Sequence, residues 1–251
     1  MNTTKAILTG HTRGLGAALA DLMLSRGIAV LGVSRGVSHT RSNTPASALL
    51  QEVELDLANP VALGEWLGTE TLARFVDGAH TVLLINNAGM LQPVGAIEGQ
   101  DVNAIGRSVS LNVAAPLMLA AAVAAASPAA ADRRIVHISS GAARNAYPGW
   151  SIYCATKAAL DHHARAVALD NNRALRICSV APGVIDTDMQ AEIRGAGLEQ
   201  FPLREKFDEL KRSGQLSTPA DAARKVLDYA LSGTFGDAPV VDVRELSRVS
   251  A

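Results

Sequence analysis

Short apolar runs alternate with longer mixed segments along the chain. The runs are 6–8 (AIL), 28–33 (IAVLGV), 82–85 (VLLI), 135–138 (IVHI), 176–180 (RICSV) and 239–243 (PVVDV). Runs of this length and continuity predict strands buried on both faces, the form a parallel sheet gives them. The segment 52–57 (EVELDL) alternates and predicts a further strand, with Asp56 near its end. Helical periodicity fills the intervals: from the first glycine-rich turn to about Ser25, over 61–75, over 101–126, after Trp150, and from Thr218, an N-cap with Pro219 at the first helical position. Strand and helix alternate without a repeat or a linker. The pattern therefore predicts a single α/β domain over 1–251, Rossmann-type and doubly wound, with a mainly parallel sheet and helices on both faces.

Within that frame, the junctions after the strands carry the chemistry. The first strand runs into TGHTRGLG, Thr9 to Gly16, and then a helix. Gly10, Gly14 and Gly16 allow the backbone to approach a pyrophosphate, and the helix N-terminus favours its charge. The spacing is G-x-x-x-G-x-G, a departure from the commoner G-x-G-x-x-G fingerprint. The second strand ends in Ser34-Arg35, where an acid would bind a ribose 2′-hydroxyl and an arginine accommodates a 2′-phosphate. Arg35 stands there, and Arg13 in the phosphate turn can reach the same region, so NADP(H) is expected over NAD(H). Asp56 is left open between a contact to the adenine edge and a cap for the next helix. Asn86 and Asn87 can tie strand ends together, and Gly89 lets a cofactor ribose come close.

The stretch 139–157, SSGAARNAYPGWSIYCATK, follows the strand ending at Ile138. It therefore sits at a carboxyl edge, where open parallel sheets bind ligands. Tyr153 and Lys157 are four apart and share a helix face. A lysine cation one turn away is expected to lower the phenol pKa, making Tyr153 a general acid for a carbonyl or a base for an alcohol. A serine opposite can hold the carbonyl oxygen. In the helix over 101–126, Pro116 has no N–H for the carbonyl of Asn112, which then can hold a water on a proton path through Lys157 to Tyr153. Tyr147 and Trp150 either line the substrate pocket or pack. His162 and His163 are expected at the surface or a subunit interface. The segment 190–215 is charged, contains Gly195, Gly197 and Pro202, and is expected to be an irregular lid over the substrate. The polar stretch 37–45 reads as a mobile loop.

Composition removes other classes. Hydrophobic residues are 48% of the chain, which supports a large core, and a net charge of −1 leaves no footprint for nucleic acid. Cys154 and Cys178 match no disulfide framework or zinc spacing, so small packed thiols and no metal site are expected. The Ala-rich run at 113–131 is interrupted by Pro116, Ser127 and Pro128 and reads as a helix and not a membrane span. The start, MNTTK, carries no signal-peptide pattern, and a cytoplasmic protein is expected.

TGHTRGLG, NNAG, Asn112, Ser140, YCATK and PGVIDT, in this order, resemble the short-chain dehydrogenase/reductase family over nearly the whole chain. The segments 138–161 and 179–194 are most similar to its benzil reductase and sepiapterin-reductase-like branch. The resemblance implies a catalytic tetrad of Asn112, Ser140, Tyr153 and Lys157. Ser140 and not Ser139 is the counterpart of the family serine, because 153 − 140 = 13 is the family spacing. It implies cofactor contacts at Gly10, Thr12, Arg13, Gly14, Leu15, Gly16, Ser34, Arg35, Asp56, Asn87, Ala88, Gly89, Pro182, Gly183, Val184 and Thr187. Tyr153 and Lys157 are among those contacts too, Lys157 through the nicotinamide ribose. The implied function is an NADPH-dependent reductase of a ketone or diketone, acting as a homodimer or homotetramer. The rival readings are a dinucleotide-binding regulator or scaffold without turnover, and an alcohol dehydrogenase working toward oxidation.

Overall fold

The structure is a computed structural model that describes residues 3–38, 48–170, 172, 174–195, 197 and 199–246. Most of the loop expected at 37–45 lies outside the described residues. Seven strands form one parallel sheet: β1 (Thr4–Thr9), β2 (Ala29–Ser34), β3 (Leu50–Glu54), β4 (Thr81–Asn86), β5 (Asp132–Ile138), β6 (Leu175–Ala181) and β7 (Val240–Asp242). Their order is β3-β2-β1-β4-β5-β6-β7, and every pairing is parallel. The order reverses between β1 and β4, which opens a crevice outside their carboxyl ends.

Apolar residues on the central strands divide by parity between two helical layers. Ala6, Leu8, Leu83, Ile85, Val136, Ile138, Cys178 and Val180 pack with helices α1 (Gly14–Ser25) and α9 (Pro219–Leu231). Ile7, Val82, Leu84, Ile135 and Ile177 pack on the opposite face, against Leu63, Leu72, Phe75, Leu119 and Ala164. That second layer comprises α2 (Pro60–Leu67), α3 (Thr71–Val76), α4 (Val102–Val109), α5 (Ala115–Ala126) and α6 (Ser151–Ala168). Burial on both faces is why the strands read as unbroken apolar runs. The run Val102–Ala126 is long and apolar enough, by length and composition, to cross a membrane. Here it lies in the helical layer, with Leu119, Ala120 and Val123 buried.

Three expectations change in detail. The segment expected as one helix over 61–75 is two, α2 and α3, interrupted at Gly68. Strand β3 ends at Glu54, so Asp56 stands in the loop beyond it. Its Oδ1 accepts from Ala58 N at 3.0 Å, while the cap of α2 is Asn59, which accepts from Val61 N and Ala62 N. The segment 190–215 is largely helical, with α7 (Asp188–Gly195) and α8 (Arg204–Arg212) and a third apolar cluster beneath them. Phe207 and Ile193 supply the buried face that sequence periodicity alone left too weak to register.

Candidate active site

The first wall of the crevice is the turn between β1 and α1. Gly10 and Gly14 hold left-handed φ angles of 67° and 53°. A Cβ on Gly16 would lie 2.0 Å from Gly10 O and 2.5 Å from Asn87 Nδ2, so only glycine lets the turn close on β4. Asn87 does what was expected of an asparagine there. Its Nδ2 donates to Thr9 O and Gly10 O, and the backbone N–H groups of Asn87 and Ala88 both donate to Thr9 Oγ1. Thr187 comes near the same turn, since a Cβ on Gly14 would stand 3.3 Å from its Cγ2. Sequence reasoning missed His11, which is fully buried; its Nε2 lies 2.6 Å from Glu52 Oε1, and Ser38 N donates to the same oxygen at 2.7 Å. No local pattern announces a contact 41 residues away.

At the end of β2, Ser34 is buried and donates to Gly36 O at 2.6 Å, while Arg35 is exposed. Arg13 has a partner on the far side of the turn. It forms a 3.5 Å pair with Asp188, both side chains more than 70% exposed, a contact that solvent makes easy to exchange. These residues suit a dinucleotide with a 2′-phosphate: a glycine turn that a Cβ would block, and arginine rather than acid after β2. Pro182, Gly183 and Val184 follow β6 into the loop leading to Thr187, with Gly183 at φ 87°.

The second wall carries the four residues expected to react. Between α4 and α5 the helix passes through a π turn, Ser110–Ala114, in which Ala115 N donates to Ser110 O. This turn brackets Asn112 and lies just before Pro116, where the missing N–H was expected to disturb the ladder. Asn112 is fully buried: its Oδ1 accepts from Met90 N at 2.9 Å and its Nδ2 donates to Met90 O at 2.8 Å and Thr156 Oγ1 at 3.2 Å. Lys157, 5% exposed, donates from Nζ to Ile138 O at 2.8 Å and stands 5.7 Å from the Tyr153 ring centroid. A Cβ on Gly89 would sit 3.3 Å from Asn112 Oδ1 and 3.6 Å from Lys157 Nζ, so these three positions are neighbours.

Ser139 and Ser140 separate clearly. Ser139 is buried and donates to Asp161 Oδ1 at 2.6 Å. Ser140 has a different setting: its Oγ accepts from Ala142 N at 3.2 Å, and its hydroxyl acts to lower the Tyr153 pKa. The expected lowering of the Tyr153 pKa is not what the structure gives. Burial pushes the phenol up to about 12, outweighing the hydrogen bond from Ser140. Burial also brings Lys157 down to about 8, against the upward pull of Asp161. Spacing located the cation but not the desolvation that both groups suffer. Tyr153 thus holds its proton across the neutral range, the form a proton donor needs.

An aromatic group lies against Tyr153. Trp150 meets it edge-on at 5.6 Å and stacks on Phe201 at 4.5 Å, with Tyr147 and Phe207 completing the cluster. Trp150 is packed within this cluster, and Tyr147 is partly buried against it. Beside them, Gln92, Val94, Glu192, Gly195 and Gln200 line a cleft of about 400 Å³, bridged by a 2.7 Å hydrogen bond from Gln92 Nε2 to Glu192 Oε1. His163 is not simply on the surface. It is half-buried, and its Nδ1 lies 3.0 Å from Nε2 of the fully buried His137. Cys178 is buried and Cys154 half-buried, both free, and among the described residues no His, Cys, Asp and Glu group could hold a metal.

Comparison with known proteins agrees with this geometry. The family model for short chain dehydrogenases matches residues 4–196. Benzil reductase ((S)-benzoin forming) of Bacillus subtilis is 33% identical over 245 residues, covering 95% of this chain and 98% of that protein. Sepiapterin reductase of Bos taurus is 30% identical over 255 residues, with coverage of 96% and 95%. Among solved structures, a short-chain dehydrogenase/reductase from Burkholderia vietnamiensis is 52% identical, covers 98% of this chain and 99% of its own, and superposes with a TM-score of 0.71.

Proposed function

The chain belongs to the short-chain dehydrogenase/reductase family of oxidoreductases, and from that premise we propose that it is an NADPH-dependent carbonyl reductase acting on ketones or diketones. The observation that carries the proposal is the buried Tyr153 phenol with the buried Lys157 one helical turn away, its Nζ 5.7 Å from the ring centroid and held by Ile138 O. When bound, NADPH supplies a hydride to the carbonyl carbon. Tyr153 donates its proton to the carbonyl oxygen. The Ser140 hydroxyl holds that oxygen in line and stabilises the negative charge gathering on it. The Lys157 ammonium stabilises the phenolate that remains. Asn112 fixes the loop after β4 through Met90, and a water on its carbonyl would return a proton through Lys157.

Arg35, with Arg13 released from its exposed pair with Asp188, would hold the 2′-phosphate. The turn residues Gly10 to Gly16, with Asn87 to Gly89 and Pro182 to Thr187, would enclose the rest of the dinucleotide. Tyr147, the partly buried edge of the aromatic cluster, would meet a flat or aromatic ketone, and α7 and α8 would act as the lid. Benzil reductase and sepiapterin reductase among the relatives support this class of substrate. Pairing of copies into a homodimer or homotetramer is part of the same proposal. The test is steady-state oxidation of NADPH with a panel of aliphatic ketones, aryl ketones and 1,2-diketones. Turnover that favours aryl ketones or diketones is expected. Binding of NADPH without oxidation by any of them would favour a dinucleotide-binding regulator, and turnover only with alcohols and NADP⁺ would favour a dehydrogenase.

A further inference from the structure

Asp161 lies one helical turn beyond Lys157 on α6 and is 1% exposed. Its Oδ1 accepts two hydroxyl hydrogen bonds, from Ser139 at 2.6 Å and Ser179 at 2.7 Å. Ser139 begins the loop after β5 and Ser179 lies on β6, so one carboxylate oxygen gathers two adjacent strands and the helix. Asp161 Oδ2 has no hydrogen-bond partner. An asparagine would make both hydroxyl bonds through its carbonyl oxygen without bringing a charge into the interior. The charge therefore needs a counterpart; Lys157 and Arg165 both stand one turn away on α6, and of the two Lys157 is buried while Arg165 is exposed.

The groups facing this pair narrow the choice. From β5, His137 is fully buried and neutral, held far down at about 3 by burial, by His163 and by the Lys157 charge, so it contributes no countercharge. From the π turn, Asn112 is an amide. From α6, Tyr153 keeps its proton. From β6, the Cys178 thiol is pushed up to about 12 by burial and by Asp161, and stays neutral. Among the described groups, the charge acting to keep Lys157 protonated is that of Asp161.

We propose that Asp161 is a positioning residue for proton transfer: clamped by Ser139 and Ser179, its carboxylate holds Lys157 in the cationic form at neutral pH and, through Ser139, fixes the strand end that presents Ser140. The inference rests on the role of Lys157 given above. Removing the charge lowers the lysine pKa further, so the lysine loses its proton at lower pH and the alkaline fall in kcat/KM moves toward neutrality.

Two measurements test this. In the pH profile of kcat/KM for ketone reduction, Asp161→Asn should move the alkaline limb down by about one unit or more. Ser179→Ala removes one clamp bond but leaves the charge, and should keep the limb where the wild type has it. The second measurement is thermal unfolding of Asp161→Asn alone and in a Lys157→Met background, which needs no turnover and so survives failure of the reductase reading. Asp161→Asn should lower the melting temperature when Lys157 is present and leave it unchanged or raise it when Lys157 is Met. If Asp161→Asn alone does not fold, the double variant should. A limb unmoved by Asp161→Asn, a limb moved equally by Ser179→Ala, equal losses in both backgrounds, or a double variant that also fails to fold would each overturn the proposal.

Discussion

At the scale of single residues, environment decides roles that residue type leaves open. Ser139 and Ser140 are adjacent and chemically identical, yet one donates to Asp161 and the other meets Tyr153. The resemblance singled out Ser140 by its spacing, and the structure commits Ser139 to Asp161 instead. The Tyr153 pKa is the opposite case. Sequence places a cation one turn away, but only the fold shows that phenol and ammonium are both stripped of water. Arg35 is a residue whose role should be separable, because it is exposed at the end of β2. Arg35→Asp should reverse or abolish the proposed preference for NADPH over NADH, by at least about tenfold in the ratio of kcat/KM values, since one charge-assisted contact to phosphate would be lost and a repulsion added. An unchanged ratio would remove Arg35 from the account.

At the scale of elements, the parallel strands and their order of succession were legible because double burial writes itself as short apolar runs. Three features were not. The break between α2 and α3 falls at Gly68 inside a pattern that stays helical in period. The contact between His11 and Glu52 joins a turn to a strand through the fold alone. The helices α7 and α8 are strongly polar, and their buried faces make sense only against Trp150 and Phe201. One position locks that region together. Gly149 has φ 77°, its carbonyl accepts from Gly95 N at 2.9 Å, and a Cβ there would stand 2.2 Å from Gln200 O. Gly149→Ala should therefore shift the loop before α6 against the segment before α8. The expected outcome is a raised KM for the ketone, by several-fold or more, with the dissociation constant for NADPH held within about twofold. Equal weakening of both would show that the interlock supports the whole crevice rather than its substrate side.

For the molecule as a whole, the two-layered core and the charges beneath it set how stability responds to acid. His137 is neutral in the folded protein, with its pKa lowered from 6.5 to about 3 by burial first and then by His163 and Lys157. The unfolded chain binds this proton more readily, so the contribution of His137 is complete above about pH 6.5 and is lost as pH falls toward 3. Asp132 is also held low, its hydrogen bonds from Arg134 and Arg176 together outweighing the desolvation that raises it, and it adds a loss in the same direction once pH drops below the usual carboxylate range. Unfolding free energies from urea titrations should decline steadily between about pH 6.5 and pH 4, on the order of 3 kcal/mol for His137. A His137→Asn variant should show a shallower decline over that window. An identical slope in wild type and variant would mean that His137 is not the neutral buried group described.

The central claim is that the Tyr153 phenol delivers the proton to a carbonyl oxygen, and the most direct measurement is single-turnover reduction of an accepted ketone by Tyr153→Phe beside the wild type, with NADPH affinity determined in parallel. The account predicts a fall in the chemical rate of about a hundredfold or more with NADPH binding nearly unchanged. A chemical rate equal to that of the wild type would contradict it.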